Sequence, residues 1–167
     1  MSIVGVWCER VAAVALLGVM ASVAHGSAAH GSSSAEACIA GAAAFHEVNP
    51  TMLAAILRVE GMRERQVTVN SNGTQDVGRA AINSIHFAEL GRWGVAPARL
   101  MDGCTNTYVA AWLVRKNLLR YGNTWAGYAA YHSRTPARNV RYQLLLANEL
   151  TRMGVLSGPL QPLPTVK

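Results

Sequence analysis

One short segment limits what this chain can fold into, because it predicts a helix with an acidic residue on its apolar face. The segment runs from Asn49 to Glu60. Asn49 is a favourable N-cap and the proline after it suits the first helical turn, so a helix is expected to begin here. Leu53, Ile56 and Leu57 recur at helical spacing and predict the buried face. Glu60 continues the same stripe, so its carboxyl lies in line with the side chains that the helix buries.

Two interpretations of Glu60 follow from this segment. Residues 61–76 are polar and rich in turn-forming residues, which places Glu60 at a helix end, between the core and an opening. Partial burial raises the pKa of a carboxyl and keeps it protonated for general acid catalysis. The alternative is a carboxylate at a frayed helix end, paired with Arg58, Arg63 or Arg65. This segment alone leaves both interpretations open.

Length and charge restrict the class of protein. A chain of 167 residues suits one domain with its own core, and a monomer is the default expectation. The net charge is +6, but the basic residues are scattered, with no run longer than Arg115-Lys116. The sequence has no zinc-finger spacing, no aromatic RNA-binding motif and no basic stripe on one helix. A wall-like or polyanionic surface is therefore the expected partner, and nucleic acid is not.

The N-terminus predicts export. Arg10 precedes an apolar run over residues 11–24, which is short for a membrane span and ends in small residues suited to cleavage. Residues 1–24 are therefore interpreted as a signal peptide and residues 25–34 as a flexible leader. Cys8 falls in the signal peptide, which leaves Cys38 and Cys104 as an even pair, expected to be bonded in an oxidising compartment. Two buried thiols are the alternative if the chain is not exported.

The remaining pattern predicts a mainly α domain with one small β-hairpin directly after the helix that ends at Glu60. Asn72-Gly73 is a strong hairpin turn signal between strands predicted at 66–69 and 74–77. Ser84 is predicted to cap a short helix. The other helices are predicted at 35–47, 106–121, 125–131 and 136–154. The tail, 155–167, contains three prolines and is not expected to fold alone.

Several ordered motifs carry a family resemblance. They occupy residues 55–60, 69–78, 82–84, 100–106, 121–125 and 130–136. With these motifs the chain resembles the lysozyme-like lytic transglycosylases of the soluble type, in particular the small exported members that accompany type III and type IV secretion systems and pili. The resemblance covers residues 38–152 and implies an α+β lysozyme-like domain over residues 35–154, located in the periplasm.

The resemblance also implies a reaction and its residues. Glu60 would be the single catalytic acid and base, cleaving the β-1,4 bond between N-acetylmuramic acid and N-acetylglucosamine of peptidoglycan to leave a 1,6-anhydro end. No metal or organic cofactor is implied, and the partners would be glycan strands and components of a secretion apparatus. Tyr131 would lie near the glutamate and the sugar. The other implied assignments are a substrate-cleft turn with Gly78, Ile82 and Asn83, and a disulfide between Cys38 and Cys104.

The chain departs from the family pattern at three places. Gly61 replaces the serine that usually follows the glutamate, and His132 replaces the asparagine after the motif tyrosine. Arg79-Ala80-Ala81 replaces Leu-Met-Gln, so an amide near the glycan is missing, while Arg79 becomes a candidate contact for a lactyl or stem-peptide carboxylate. His132 is a candidate lining residue of the cleft.

These departures keep two alternatives open. Most glycosidases use two carboxylates, and Asp76 on the returning strand is the candidate for a second, which would make the chain a hydrolytic muramidase. A structural role for Asp76, bonding the hairpin backbone, is the simpler interpretation. The other alternative is a peptidoglycan-binding assembly module that keeps the fold and has weakened chemistry. Product analysis and sacculus digestion separate these hypotheses.

Overall fold

The computed structural model describes the backbone of residues 29–165 and the side chains from Ser34 onward. The predicted signal peptide lies outside the described residues. Within them, no helix is both long and apolar enough to cross a membrane.

Helices dominate the described chain, and a small antiparallel sheet lies between the second and third of them. The helices are α1 (Ala29–His46), α2 (Pro50–Glu60), α3 (Phe87–Arg92), α4 (Gly103–Tyr121), α5 (Trp125–Ala129) and α6 (Pro136–Arg152), and the strands are β1 (Val67–Val69), β2 (Gln75–Val77) and β3 (Ile82–Asn83). Short 3-10 turns occupy Ser84–His86 and Pro97–Met101. This arrangement confirms the mainly α, lysozyme-like fold class.

The α2 helix follows the sequence prediction closely. The Asn49 side chain accepts hydrogen bonds from the N–H groups of Thr51 and Met52, at 2.9 and 3.1 Å, and Pro50 opens the helix. The predicted apolar stripe of Leu53, Ile56 and Leu57 is buried. An N-cap and an apolar stripe are local signals, so they could be recognised without knowledge of the rest of the fold.

The sheet has one strand more than predicted. β1 and β2 form the expected hairpin, with Val67 opposite Val77, and β3 adds to the other side of β2. β3 contains only Ile82 and Asn83, too short a stretch to show strand alternation. The cap of the 3-10 turn that follows is Asn83, whose side-chain oxygen accepts from the Ile85 N–H at 3.1 Å, and not Ser84 as predicted.

Several helix ends also differ from the predictions. α1 begins at Ala29, so residues 29–34, predicted to be part of a flexible leader, are helical and continuous with the Ala-rich segment after them. α4 begins at Gly103 because the Asp102 carboxylate accepts from the Thr105 N–H at 2.7 Å and caps the helix earlier than expected. α5 is a short helix that ends at Ala129.

The core is built around α4, which packs against α1, α2 and α5, while α6 covers α2 and α5. Cys38 in α1 and Cys104 in α4 are bonded, as the cysteine count predicted, which fixes α1 to the start of the central helix. The most buried side chains include Leu53, Ile56, Val114 and Leu146. The packing of α2 between α4 and α6 brings the C-terminal end of α2 next to the sheet.

The tail after α6 has no helix or strand up to Thr165, in agreement with its proline content. It is nevertheless fixed to the domain. The buried Asn148 amide donates to the Gln161 carbonyl at 2.8 Å, and its oxygen accepts from the Gln161 N–H at 2.6 Å. This pair of hydrogen bonds holds the tail against α6.

Candidate active site

Glu60 is the last residue of α2, and the helix ends here because of the residue that follows. Gly61 adopts a left-handed conformation with φ 61°, and its N–H donates to the Leu57 carbonyl at 3.3 Å. Glycine suits this C-terminal position because it has no side chain to strain the left-handed backbone. The chain turns away at Gly61 and leaves the Glu60 side chain at the boundary between the core and a cleft.

The Glu60 carboxyl is mostly buried and has one hydrogen-bond donor among the described side chains. The Tyr142 hydroxyl of α6 donates to Glu60 Oε1 at 2.6 Å. Burial raises the pKa of Glu60 from 4.5 to about 6, the hydrogen bond from Tyr142 works in the opposite direction, and the nearby charge of Asp76 adds to the increase. A carboxyl with this pKa exchanges its proton near neutral pH, as a group that serves as both acid and base requires.

The alternative interpretation of Glu60 as a surface ion-pair partner does not describe this structure. Arg58 Nε lies 2.6 Å from the carboxylate of Glu149 in α6, and within the described part of the chain neither Arg63 nor Arg65 forms an ion pair. The helix-end carboxyl therefore contacts a tyrosine hydroxyl instead of a guanidinium group. A guanidinium would have lowered the pKa of Glu60 and left the carboxyl ionised near neutral pH, with no proton to donate.

The sheet supplies a second carboxylate to the same cleft. Asp76 in β2 accepts from the Asn70 amide at 2.9 Å and, through its other oxygen, from the Asn83 amide at 2.7 Å. Both amides also donate to the Thr74 hydroxyl, at 3.0 and 3.1 Å. Two amide donors fix the orientation of the Asp76 carboxylate.

The turn between β2 and β3 is held by a buried asparagine that the sequence analysis did not identify. The Asn106 amide donates to the carbonyls of Val77 and Leu100, at 2.9 and 3.0 Å, and its oxygen accepts from the Ala80 N–H at 2.9 Å. Gly78 has φ 71°, and a Cβ there would lie 2.6 Å from the Leu100 carbonyl and would also collide with the Asn106 amide. Glycine is therefore required at residue 78 by both conformation and space.

Tyr131 connects this turn to α5. Its hydroxyl donates to the Ala80 carbonyl at 2.7 Å. Burial and the nearby charges of Glu60 and Asp76 raise the pKa of Tyr131 well above its usual range, so the hydroxyl stays protonated. The tyrosine thus fixes the backbone of the turn at the edge of the cleft that contains Glu60.

A cavity of about 330 Å³ joins these groups. Its lining includes Glu60, Asp76, Ala81, Asn83, Tyr131 and His132. A neighbouring cavity of about 660 Å³ also has Tyr131 and His132 in its lining and extends towards α4. Together they form a cleft that runs past the two carboxyl groups, a shape suited to a chain-like ligand.

His132 lies flat against the tyrosine that donates to Glu60. The rings of His132 and Tyr142 are 4.8 Å apart and inclined by 2°. Burial and the charges of Arg138 and Arg141 lower the pKa of His132, and Asp76 opposes that decrease. A neutral imidazole is therefore favoured beside the Glu60–Tyr142 hydrogen bond.

The structure separates the residues predicted for the site into two groups. Glu60, Asp76, Asn83, Tyr131 and His132 line one cleft. The others do not: Ile82 is fully buried in the core, Gly78 is buried in its turn, and Arg79 is half-exposed and outside the lining of the cleft. The assignment of these three residues to substrate binding stays a prediction. Gly78 and Ile82 shape the cleft wall through the backbone.

Tyr142 is a site residue that the sequence analysis did not identify. It is 2% exposed, and its hydroxyl reaches Glu60 from a position 82 residues further along the chain. A buried tyrosine hydroxyl requires a hydrogen-bond partner, and that requirement was the available signal. Among the described residues, no group of three or more His, Cys, Asp or Glu side chains could hold a metal ion.

The fold and the cleft together define a class of protein. A helical domain with a small antiparallel sheet, and a largely buried glutamate at a helix end facing a cleft between them, is a lysozyme-like domain. The sequence model of the Transglycosylase SLT domain matches residues 37–143 of this chain. The chain therefore belongs to the SLT transglycosylase family, whose members cleave glycosidic bonds of peptidoglycan. The matched region contains every cleft residue named above, including Tyr142.

The chain is also similar to individual proteins of Shigella, Escherichia and Salmonella. The protein IpgF of Shigella flexneri is 28% identical over 109 residues, which are 64% of this chain and 72% of IpgF. The X polypeptide of Escherichia coli is 30% identical over 132 residues, 73% of this chain and 76% of that protein. The invasion protein IagB of Salmonella typhimurium is 29% identical over 90 residues, 53% of this chain and 56% of IagB.

Proposed function

We propose that this protein is a peptidoglycan lytic transglycosylase that cleaves the β-1,4 bond between N-acetylmuramic acid and N-acetylglucosamine and leaves a 1,6-anhydro end. The observation that supports this most directly is the Glu60 carboxyl, largely buried over the cleft with a pKa raised to about 6. One carboxyl must donate a proton and later accept one, and a pKa near neutrality serves both steps.

The proposed reaction uses Glu60 twice. Protonated Glu60 donates to the glycosidic oxygen while the bond from that oxygen to C1 of the muramic sugar breaks, which releases the leaving sugar with a new hydroxyl. The Glu60 carboxylate then accepts the proton of the C6 hydroxyl as the C6 oxygen bonds to C1. The anhydro ring closes, Glu60 is protonated again, and no water is consumed. Tyr142 occupies Oε1 through its hydroxyl and thereby orients the carboxyl for both transfers.

Asp76 has a supporting part in this proposal. Its carboxylate lines the same cavity and is held by the amides of Asn70 and Asn83. A fixed negative charge stabilises the positive charge that develops at C1 in an oxocarbenium-like transition state. The same placement supports the second candidate, a hydrolytic muramidase in which Asp76 acts as the nucleophile or stabiliser.

The third hypothesis, a binding module with weakened chemistry, depends on the departures from the family pattern. Ala81 lines the cavity where the family carries a glutamine, so the site offers no amide there. Loss of one hydrogen bond made in the transition state lowers a rate by roughly 10²- to 10³-fold. A slow enzyme is compatible with the proposal, whereas activity equal to background is not.

Digestion of purified sacculi tests the proposal and separates all three hypotheses. Wild-type protein, with its disulfide formed, is expected to release muropeptides with anhydro ends by mass spectrometry, and Glu60→Gln is expected to release none. The matched control is Glu36→Gln, which removes an exposed acid of α1 and should digest like wild type. Reducing ends instead of anhydro ends would establish hydrolysis. Intact sacculus binding without release by any variant would establish the binding module.

The cellular setting is part of the proposal. We infer export to the periplasm from the predicted signal peptide, and the Cys38–Cys104 bond supports an oxidising compartment. The resemblance to small exported transglycosylases of secretion systems suggests local opening of the wall for such an apparatus, with type III secretion preferred. Fractionation of cells that produce the full chain tests the location, and retention of the protein in the cytoplasm would contradict it.

A further inference from the structure

We propose that a cationic cavity beside Tyr142 binds a carboxylate carried by the muramic sugar, either the lactyl carboxylate or one on the stem peptide. This inference rests on the proposed function, because it names the part of the peptidoglycan substrate that the neighbouring cavity receives. It assigns substrate binding to Arg138 and Arg141, in place of the Arg79 expected from the sequence.

The cavity is adjacent to the catalytic carboxyl. It has a volume of about 530 Å³, and its lining includes Arg138, Arg141, His132 and Tyr142. Tyr142 lines this cavity, and its hydroxyl donates to Glu60 of the cleft. His132 lines both the cavity and the cleft. A substituent on a sugar bound at Glu60 would reach this cavity past His132.

The two arginines lie three residues apart on α6, so they project from the same side of the helix. Arg138 is exposed and Arg141 is half-buried. Within the described residues neither forms an ion pair, although Arg58, Arg115 and Arg152 each have a glutamate partner. No acidic side chain contributes to the cavity lining. Their charge does reach the cavity, since both arginines lower the pKa of His132.

A carboxylate matches this lining better than a neutral sugar does. Guanidinium groups bind carboxylates with paired, charge-assisted hydrogen bonds, and two unpaired guanidinium groups at one cavity provide several donors. Peptidoglycan carries carboxylates only on the substituent of its muramic sugars, whereas the alternating N-acetylglucosamine has none. The cavity would therefore fix which sugar lies on which side of Glu60, and so which bond is cleaved.

The tail completes the cavity. Leu163, Pro164 and Thr165 form part of its lining, held there by the two hydrogen bonds between Asn148 and Gln161. These tail residues lie beyond residue 143, where the family match ends. Leu163 and Leu145 add apolar side chains to the lining beside the charged groups. This combination suits an amino acid or lactyl group, which carries aliphatic carbon next to its carboxylate.

Binding measurements on a catalytically inactive protein test the proposal without turnover. The protein is the full chain with Glu60→Gln, and the probes are three glycan oligomers of equal length. The first carries stem peptides, the second has free lactyl carboxylates, and the third has its lactyl groups converted to neutral amides. We expect the third to bind more weakly than at least one of the acidic oligomers by about tenfold, as expected for a lost charge-assisted hydrogen bond at a partly exposed site.

Arginine variants identify the groups responsible. Introducing Arg138→Gln and Arg141→Gln together into the Glu60→Gln protein should weaken binding of the preferred acidic oligomer by about tenfold. Binding of the amide oligomer should stay unchanged. Replacing both with Lys should restore part of the affinity, because the charge remains while the paired hydrogen-bond geometry is lost. Arg92→Gln is the matched control, since Arg92 is exposed and lies outside this cavity. Thermal unfolding verifies that each variant is folded.

The outcomes decide between the two sources of the carboxylate and can overturn the proposal. A loss confined to the first oligomer assigns the stem peptide, and a loss confined to the second assigns the lactyl carboxylate, because attachment of a stem peptide converts the lactyl carboxylate to an amide. Losses with both acidic oligomers show that the site accepts either carboxylate. Equal losses for all three oligomers, no loss, or the same loss in Arg92→Gln would refute a carboxylate site. The proposed function fails separately, if wild-type protein cleaves none of the oligomers while selective binding persists.

Discussion

Replacing Glu60 with glutamine should change how the stability of the protein depends on pH. In the folded protein the pKa of Glu60 is raised from 4.5 to about 6, chiefly by burial. The folded state therefore holds this proton more tightly than the unfolded state does. As the pH rises, the unfolded state loses the proton first, so the free energy of unfolding falls. Glutamine keeps the size of the side chain and has no proton to lose in this range.

The magnitude follows from the difference between the two pKa values. Each pKa unit corresponds to about 1.4 kcal/mol, so ionising Glu60 in the folded protein costs roughly 2 kcal/mol once the pH is well above 6. This loss of stability from ionising Glu60 is absent below the pKa of the unfolded state. It develops between about pH 4.5 and about pH 6, and it is constant at higher pH. The variant should gain stability relative to wild type over that interval.

Denaturant unfolding at a series of pH values from about 4 to about 8 measures this difference. Subtracting the wild-type curve from the Glu60→Gln curve removes the titration of groups common to both proteins. The difference in the free energy of unfolding should rise by roughly 2 kcal/mol between about pH 4 and about pH 8. Glu36→Gln, which removes an exposed carboxyl of α1, is measured in parallel as the control for loss of an acidic side chain.

If the difference in the free energy of unfolding between Glu60→Gln and wild type did not change with pH, the pKa of Glu60 would be the same in the folded and unfolded states. That result would refute the raised pKa of Glu60. A difference that falls with pH would show that the folded protein stabilises the Glu60 carboxylate more than water does. Either result would remove the physical basis for Glu60 as a proton donor near neutral pH.

Three further changes test the groups around the cleft. Tyr142→Phe removes the hydrogen bond that lowers the pKa of Glu60, so the pH–rate profile of sacculus digestion should move to higher pH, and an unmoved profile would contradict this role. Asn106→Ala deletes three buried hydrogen bonds and should lower the free energy of unfolding by about 3 kcal/mol or more, measured with denaturant against wild type. Cys38→Ser combined with Cys104→Ser opens a loop of 66 residues and should lower the free energy of unfolding by roughly 4 kcal/mol. Thermal unfolding of oxidised wild type is the reference, and an unchanged melting temperature would contradict this prediction.

Local signals predicted the parts of the fold that depend on few residues. The cap at Asn49, the apolar stripe that ends at Glu60, and the hairpin turn at Asn72-Gly73 are each contained in a short stretch, and the structure has all three. The family motifs predicted that Tyr131 lies near Glu60, and the structure places both residues in the lining of the cleft. Local pattern and motif together were sufficient to point to the candidate site.

Contacts between distant parts of the chain were beyond such signals. The hydrogen bond from Tyr142 to Glu60 joins α6 to α2, and the sequence near either residue contains no pattern that predicts this contact. The strand at Ile82 exists because it pairs with β2, and two residues carry no pattern of their own. Asn106 resembles any polar residue at a helix start, yet its amide fixes the cleft turn.

The departures from the family pattern change residues around the cleft more than they change Glu60 and its hydrogen bond from Tyr142. Gly61 occupies a left-handed helix cap, where glycine is less strained than serine, so this change carries no sign of a weakened site. His132 covers the face of Tyr142 and leaves the hydrogen bond to Glu60 intact. Ala81 lines the cavity where the family carries a glutamine, so the amide of that side chain is missing there.

The cost of burying Glu60 bears on the choice between an enzyme and a binding module. At neutral pH the largely buried carboxyl destabilises the fold by roughly 2 kcal/mol, a substantial share of the stability of a domain this size. A module that only binds glycan gains nothing from a glutamate with a raised pKa, because a glutamine would bond to Tyr142 and to sugar hydroxyls without that cost. A group that donates and then accepts a proton does gain from a pKa near neutrality. The energetics of this one side chain therefore agree with the proposed catalytic role.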